Sequence, residues 1–427
     1  MLVATTLGVF FVFSLIGIPI AIALALAAII PLLLFSNVPM GVVIQKFFAS
    51  TDSYGLMAIP LFMIAGGLLD KAGLSKRLVN LANALIGWMP GGLAVVVFVA
   101  SAFFSAITGS AVATVVAIGS IMVPSMLKEG YDLKFTLASI ASAGYLGVVF
   151  PPSIPLILYG MSTGVSVGDL FMGGILPGVL LTIGMAVYAG VWGFRHRKQL
   201  NKTAFSWSGL KDALADSVWA MIMPVIILGG IYGGVFTPTE AAGVAVLYGL
   251  FIGFVVYREL DLKLLFKIMR SAIISSGMIL FICATASAFA YVLALKSITT
   301  IVAAWMLSIC DGPFQFWALV TIFLLFVGMI MDTPPAILIL APLLAPVATK
   351  FGIDPIVFGV VVNVNLAIGI ATPPVGTTLF VAASLAKVKA SVVINTHMWL
   401  YCVVSSLIMI LLMAYPKIIL LIPDLAR

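Results

Sequence analysis

Two proline pairs, Pro151-Pro152 and Pro373-Pro374, carry the clearest chemical signal because each interrupts a long apolar run. Proline lacks a backbone N–H and its ring clashes with the preceding turn, so each pair should break a helix. A broken helix offers free carbonyls at its upstream end, which suit a cation, and free amides at its downstream start, which suit an anion. Within a membrane, such backbone persists only where protein or a water-filled cavity satisfies it. The matched breaks therefore predict a binding site near the membrane midplane.

Two further polar interruptions precede the proline pairs. Ser105-Ala-Ile-Thr-Gly-Ser110 lies in the charge-free stretch 91–127, and Met331-Asp-Thr-Pro-Pro335 lies in the apolar stretch 313–349. Each stretch is either two short spans or a re-entrant hairpin, and both options return the chain to the side that it left. The small polar residues at the tips favour buried hairpins, because unsatisfied backbone is not tolerated in lipid.

Pairing each tip with the break that follows it predicts two sodium-like sites. The first site combines Ser105, Thr108, Gly109, Ser110, Gly144, Val149 and Pro152. The second site combines Met331, Asp332, Thr333, Ala371, Thr372, Gly376 and Thr377. Helix N-termini near Ser110, Ile154, Ala336 and Thr377 would face an anionic substrate between these sites. The residues that we predict to bind this substrate are Thr108, Ser110, Ser153, Asp332, Asn365 and Thr378.

Several of these residues have a structural alternative. Asp332 is the one acid that we place inside the membrane, where ionisable residues are functional by default. It could instead lie at a shallow tip and cap the helix that follows. Asn363 and Asn365 are equally suited to bond neighbouring helices. A single proline pair is more often a kink, but two pairs in matched positions favour a site.

The composition indicates an integral membrane protein. Of 427 residues, 63% are hydrophobic and 8% are charged, whereas soluble domains carry about 25% charged residues. The net charge of +7 does not indicate nucleic-acid binding, because the basic residues sit in short loops where they set membrane orientation. Three single cysteines, Cys283, Cys310 and Cys402, have neither metal-ligand spacing nor a disulfide framework.

The apolar pattern predicts spans joined by short connections. Residues 2–34 should form a first span rather than a removed signal peptide, and 36–53 a connecting segment. Residues 72–87 and 297–310 should form interfacial helices. Residues 199–216 should form a polar cytoplasmic linker, and Thr237-Pro-Thr-Glu240 a helix-capping box. The predicted spans are 2–34, 54–70, 133–163, 170–194, 217–236, 239–257, 271–295, 355–384 and 391–421, with 133–163 and 355–384 broken at the proline pairs.

An internal repeat relates the two halves, 1–198 and 217–427. Residues 222 positions apart coincide at Pro124/Pro346, Gly130/Gly352, Asp132/Asp354 and Gly147/Gly369, as well as at the proline pairs. With a cytoplasmic N-terminus and an external C-terminus, most of the 21 Lys and Arg residues face the cytoplasm. Those left outside are Lys46, Lys296, Lys350, Lys417 and Arg427. The two halves would then be inverted, as in many secondary transporters.

The chain resembles the large membrane subunit of tripartite ATP-independent periplasmic (TRAP) transporters over nearly its whole length. The motifs that carry this resemblance are Ile59-Pro-Leu-Phe62, Gly73-Leu-Ser-Lys-Arg77, Ser105-Ala-Ile-Thr-Gly-Ser110, Phe150-Pro-Pro-Ser-Ile-Pro155, Thr237-Pro-Thr-Glu240 and Ala371-Thr-Pro-Pro-Val-Gly376. The resemblance implies an all-α polytopic fold of the ion-transporter type, with two re-entrant hairpins, two broken helices and an elevator mechanism. It also implies that Thr108, Ser153 and Asp332 lie near the substrate.

The resemblance further implies sodium coupling through two or more ions and uptake across a bacterial inner membrane. The cargo would be an organic carboxylate such as a sialic acid or a C4-dicarboxylate. The implied partners are a periplasmic substrate-binding protein and a small four-helix membrane subunit, which we expect to be a separate chain, besides membrane lipid.

Rival functions fit the sequence less well. The nearest rival is a stand-alone sodium/carboxylate symporter of the divalent-anion type. An intramembrane enzyme is disfavoured because HExxH, paired aspartates and a plausible catalytic histidine are missing. A channel is disfavoured because no charged or carbonyl ring repeats by symmetry.

Overall fold

The computed structural model describes residues 1–200, 205–295 and 297–426. The elements in these ranges are helical, and ten helical segments within them are long and apolar enough to cross a membrane. The prediction of an all-α polytopic membrane protein is therefore confirmed. Lys202, Lys296 and Arg427, which were used to predict orientation, lie outside the described residues.

The N-terminal region contains three helices where one span and a connecting segment were predicted. They are α1 (Leu2–Leu15), α2 (Ile20–Phe35) and α3 (Met40–Thr51). The single span 2–34 is wrong because Gly17 adopts a φ of 89° and Pro19 starts a new helix, so α2 folds back against α1. The segment 36–53 is mostly helical rather than extended.

The next two helices follow the predicted pattern closely. A short 3-10 turn at Tyr54–Met57 leads into α4 (Ala58–Lys71), and the amphipathic helix α5 (Leu74–Ile86) follows. Gly73, with a φ of 76°, makes the turn between them. Helical spacing predicts Leu74, Leu78, Leu81 and Leu85 on one apolar face of α5; the first three are buried, and Leu85 at the end of the helix is exposed.

Six helices complete the first half. The stretch 91–127 forms two contacting helices, α6 (Gly92–Thr108) and α7 (Ala111–Lys128). The stretch 133–163 is broken as predicted, into α8 (Leu133–Ala143), α9 (Leu146–Val149) and α10 (Ile154–Thr163). A long helix, α11 (Val167–Arg195), closes this half.

The polar linker is shorter than the predicted 199–216. Residues 201–204 lie outside the described residues, and α12 (Trp207–Tyr232) begins directly after Ser206, whose hydroxyl accepts the Gly209 N–H. Lys211, Asp212 and Asp216 therefore belong to a helix. Next comes α13 (Pro238–Phe251), with the predicted capping box between Thr237 and Glu240, and a π-helical turn at Ile252–Val256. The long α14 (Leu262–Leu295) follows.

The second half repeats the order of the first. After α12, α13 and α14, its remaining elements are α15 (Ile298–Ile309), α16 (Pro313–Ile330), α17 (Thr333–Lys350), α18 (Pro355–Gly369), α19 (Thr377–Leu385), α20 (Ala390–Val393), α21 (Thr396–Ala414) and α22 (Lys417–Ala426). The break between α18 and α19 lies at the second proline pair, as predicted. The predicted last span, 391–421, is wrong in extent because Asn395 caps α21 and Pro416 separates it from α22.

The helices can be described as two groups, which contact each other through pairs such as α5 with α6 and α14 with α17. In the first group, α4 packs on α13, α14 packs on α2, α3 and α4, and α12 packs on α13 and α5. In the second group, the helices after the breaks cross between the repeats: α10 packs on α17, and α19 packs on α7. The two hairpins and the two broken helices therefore share one core, which continues into α2, α4, α12 and α13 of the first group.

Candidate functional site

The first helix break lies between Val149 and Ile154. Residues Pro151 to Ser153 are buried, and the Pro151–Pro152 peptide bond is cis. The Ser153 hydroxyl caps α10 by accepting the Leu156 N–H at 3.4 Å, and it donates to the carbonyl of Val148. The helix therefore breaks at the proline pair, as the sequence predicts, and Ser153 caps one of the amides at the start of α10.

The tip of the first hairpin lies directly on this break. Gly109 turns the chain with a φ of 61°, and a Cβ added there would collide with the Pro152 carbonyl oxygen. Gly147 similarly faces the carbonyl of Ser110. The structure therefore brings Gly109 and Ser110 together with the Pro152 end of the break.

The other predicted members of the first site are placed differently. The Ser105 and Thr108 hydroxyls donate to carbonyls of their own helix, at Ser101 and Phe104. Gly144 points towards α7 and α19, where a Cβ would lie 3.1 Å from Cγ2 of Thr378. The Gly144 carbonyl accepts the Gly147 N–H at 2.9 Å.

The second break spans Ile370–Gly376, and the Pro373–Pro374 bond is also cis. Thr372 donates its hydroxyl to Ile368 at 2.8 Å, and Thr378 donates its hydroxyl to Ile370 at 3.0 Å. A Cβ added at Gly376 would lie 2.8 Å from the Thr372 carbonyl oxygen and 3.0 Å from that of Ile370. The Thr372 carbonyl therefore faces Gly376, whereas the Ile370 carbonyl already accepts the N–H of Thr378 at 3.2 Å as well as its hydroxyl.

The second hairpin is held against this break by backbone contacts. The Val375 N–H donates to the Met329 carbonyl at 3.1 Å. Gly328 and Gly369 meet closely enough that a Cβ on Gly369 would lie 2.6 Å from the Gly328 Cα. Small residues allow two helices in a membrane to approach in this way. Neither Gly328 nor Met329 was singled out from the sequence, although Gly369 was noted as the repeat partner of Gly147.

Asp332 is placed as a helix cap. Its Oδ1 accepts the Thr333 N–H at 2.9 Å at the start of α17, and its side chain is exposed. The hydroxyl of Thr333, by contrast, is buried and has no hydrogen-bond partner. Met331 ends α16 with its N–H bonded to Val327 at 2.8 Å.

Several buried polar atoms near the second break have no partner in the described part of the chain. Besides the Thr333 hydroxyl, these are the hydroxyl of Thr377 and the side-chain oxygens of Asn363 and Asn365. Buried polar groups are normally hydrogen-bonded, so unpartnered ones require an explanation such as a bound ion or ligand. Asn363 and Asn365 each also bond a neighbouring helix, through Val148 and Thr321 respectively.

The chemistry of these groups suits a hard, weakly charged cation. Among the described residues, no group of three His, Cys, Asp or Glu side chains is placed to hold a metal ion. The oxygens that converge at the two breaks are carbonyls and hydroxyls, which prefer hard cations over transition metals. The helix starts at Ile154 and Thr377 provide amides for an anionic group nearby.

Comparison with known proteins identifies relatives along most of the chain. The family model described as "Tripartite ATP-independent periplasmic transporter, DctM component" matches residues 7–418. The isethionate TRAP transporter permease protein DctMQ of Oleidesulfovibrio alaskensis is 41% identical over 90% of this chain, which spans only 60% of that relative's length. The C4-dicarboxylate TRAP transporter large permease protein DctM of Vibrio cholerae is 39% identical, over 88% of this chain and 87% of the relative.

Solved structures show the same fold at low sequence identity. The YdaH transporter of Alcanivorax borkumensis has a TM-score of 0.64 at 16% identity and covers 87% of each chain. MtrF of Neisseria gonorrhoeae has a TM-score of 0.58 at 13% identity, over 88% of this chain and 83% of the other. The matches of the family model and of the sequence relatives are far more specific. This chain belongs to the DctM family, the large permease component of tripartite ATP-independent periplasmic transporters.

Proposed function

We propose that this permease takes up a small organic anion together with sodium ions, across a bacterial inner membrane. The observation that carries the proposal is the contact of each hairpin tip with the neighbouring helix break, at Gly109 with Pro152 and at Met329 with Val375. Each contact joins helix ends that present carbonyls and amides, so cations and an anion can bind side by side. Two sodium ions fit the two breaks.

The substrate should be a carboxylate or a chemically similar anion. Relatives are named for C4-dicarboxylates, isethionate and 2,3-diketo-L-gulonate, all of which are small anions. We place C4-dicarboxylates first, and a sialic acid remains a candidate of the same chemical class. The amides at Ile154 and Thr377 would hold the anionic group, and the hydroxyls of Ser153 and Thr378 lie beside those helix starts.

An elevator movement is the transport mechanism that the packing supports. The hairpins and broken helices share one core through the contacts of α10 with α17 and of α19 with α7. The remaining group, built on α2, α4, α13 and α14, would be the static frame. A sodium ion that moves down 100 mV releases about 2.3 kcal/mol, so two ions provide ample energy for accumulation.

Two partners complete the proposed system. A periplasmic binding protein would deliver the anion, and a small membrane subunit would support the frame. One relative is named DctMQ, which is consistent with a small subunit being joined or bound to the large one.

Reconstitution tests the proposal directly. Proteoliposomes with both membrane subunits should accumulate labelled substrate only with an inward sodium gradient and the loaded binding protein. The panel should include a C4-dicarboxylate, isethionate, 2,3-diketo-L-gulonate and a sialic acid. Uptake driven by a proton gradient without sodium would overturn the sodium coupling. Equal uptake without any binding protein would instead favour a stand-alone sodium/carboxylate symporter.

A further inference from the structure

One side chain connects the two helix breaks by a hydrogen bond. Asn363, in α18 of the second half, donates from its Nδ2 to the carbonyl oxygen of Val148 at 2.7 Å. Val148 lies in α9, one residue before the first break begins. Asn363 is 1% exposed and Val148 is 5% exposed, so the bond is sheltered from competing water.

The Val148 carbonyl accepts a second bond from within its own half. The Ser153 hydroxyl, on the far side of the first break, donates to the same oxygen. A carbonyl oxygen has two lone pairs, and here both are used. The end of α9 is therefore fixed in position by one donor from each half of the protein. The next carbonyl along the chain, that of Val149, faces Gly174 of α11, and the carbonyl of Pro152 faces the hairpin tip at Gly109.

The same asparagine is rigidly connected to the second break. Six residues separate Asn363 from Gly369, where α18 ends, which is about 9 Å along a helix. Its backbone thus belongs to the helix that leads into the second break, where the Thr372 carbonyl faces Gly376. A movement of the second break along the axis of α18 would therefore displace the end of α9, and a movement of α9 would displace the second break.

Asn365 provides a natural comparison in the same helix. It is 0% exposed, its Nδ2 donates to the Thr321 carbonyl at 3.2 Å, and its side-chain oxygen is unpartnered like that of Asn363. Two residues along a helix correspond to a rotation of about 200°, so the two amides face different neighbours. Asn365 bonds α16 within its own half, and Asn363 bonds the opposite half.

We propose that Asn363 is a positioning residue that couples ion binding at the two breaks. The inference rests on the proposed function, because it requires a cation at each break. Occupation of one break stiffens the helix end there, and the Asn363–Val148 bond transmits this order to the other. The second ion then binds to a break whose backbone is already ordered. Sodium binding is therefore positively cooperative, and one hydrogen bond is enough to connect the two ion sites. The first half has no matching hydrogen-bond donor at this position, since the residue equivalent to Asn363 there is Ala141.

The test measures the sodium dependence of uptake in proteoliposomes that contain both membrane subunits. The wild-type protein should show a Hill coefficient clearly above one. Asn363→Leu removes the donor at similar volume, and it should bring the coefficient close to one and raise the half-activating sodium concentration several-fold. Tyr159→Phe is the matched control, because it removes another hydrogen bond between the halves, from the Tyr159 hydroxyl to the Pro355 carbonyl at the start of α18 (2.9 Å), and it should keep the wild-type coefficient. Asn363→Gln, which retains a donor, should lie between wild type and Asn363→Leu, and it serves if the leucine variant does not fold.

The outcomes separate this inference from the proposed function. Absence of any sodium dependence in the wild-type protein would overturn both. A sodium-dependent wild type with a coefficient of one would overturn the coupling alone. Equal losses of cooperativity in Asn363→Leu and Tyr159→Phe would also overturn it, because general loosening of α18 would then account for the result.

Discussion

Thr108, at the end of the first hairpin helix, lies directly against Gly66 of α4. A Cβ added to Gly66 would lie 3.2 Å from the Thr108 Cα and 3.3 Å from its Cγ2. This contact joins the proposed moving group to the proposed frame at the level of the binding site. A glycine here leaves the surface of α4 flat, so the hairpin tip can approach it closely.

Gly66→Leu should abolish transport while leaving the protein folded. The new side chain would occupy the place of the hairpin tip and hold it away from α4, whereas helix propensity itself improves by roughly 0.7–1 kcal/mol when glycine is replaced. Uptake should fall below about a tenth of wild type at equal expression and similar thermal stability in detergent. Gly243→Leu is the matched control, because nothing lies within 4 Å of that glycine's missing Cβ. Normal uptake by folded Gly66→Leu would show that this contact is not part of the transport cycle.

Replacing Gly109 has two effects, a steric clash with Pro152 and backbone strain, and a control glycine can distinguish them. Gly109 and Gly164 have φ values of 61° and 78°, so alanine at either position costs about 1–2 kcal/mol of strain. Only at Gly109 would the added Cβ also strike a neighbour, the Pro152 carbonyl. Gly109→Ala should therefore lower the thermal midpoint further than Gly164→Ala and should lose sodium-dependent stabilisation. The measurement is thermal unfolding in detergent with and without sodium, and equal effects of the two variants would contradict the assigned contact.

The sequence predicts the parts of the site better than their hydrogen bonds. Proline pairs and polar tips have local causes, so both helix breaks and both hairpin turns can be placed to within a few residues. The partners of Asn363 and Asn365 depend on how α18 packs against α9 and α16, which no local pattern encodes. The same limit explains why the hydroxyls of Ser105 and Thr108 were expected at the ion but bond their own helix.

Errors in the extent of helices also have physical causes. The span predicted over 2–34 looked continuous because its residues are apolar throughout, and hydropathy does not register the turn at Gly17 and Pro19. The linker predicted over 199–216 was polar, but Ser206 caps a helix there and Asp216 is satisfied by Arg77. The polar composition therefore predicted the boundary between the halves correctly, but it did not predict that α12 begins inside this segment.

Arg77 should fasten α5 to the frame through two carboxylates. Its guanidinium lies 3.0 Å from Asp216 of α12 and 2.9 Å from Glu259, and it stacks 3.6 Å from the ring centre of Tyr257. Arg77→Lys keeps the charge and loses the planar fork and most of the stacking. Because both carboxylates are exposed, we expect a loss of only about 1 kcal/mol. Thermal unfolding at low and high salt measures it, and Lys76→Arg is a control on the same helix. An unchanged midpoint for Arg77→Lys at low salt would rule out this role.

Thr372→Val should weaken sodium activation more than it weakens folding. The Thr372 hydroxyl gives its proton to Ile368 and lies 3.6 Å from the Cys402 thiol, which leaves a lone pair of the oxygen for a cation. Valine has nearly the same shape and removes only the oxygen. The half-activating sodium concentration for uptake should rise several-fold, with a change in the thermal midpoint of only a few degrees in sodium-free buffer. A large loss of stability with unchanged sodium activation would assign Thr372 to the helix end alone.

Asp332→Asn distinguishes charge from capping. Asparagine caps a helix about as well as aspartate, so the bond from the Thr333 N–H should persist while the negative charge is lost. The carboxylate lies exposed at the start of α17, where we propose that its charge attracts sodium or a polar group of the cargo. Expression and assembly should be preserved and transport strongly reduced.

A shift in sodium dependence would assign the carboxylate to the ion, and a higher substrate requirement would assign it to the cargo. Wild-type transport by Asp332→Asn, together with instability of Asp332→Ala, would show that capping is its whole role, because alanine removes the cap and asparagine does not.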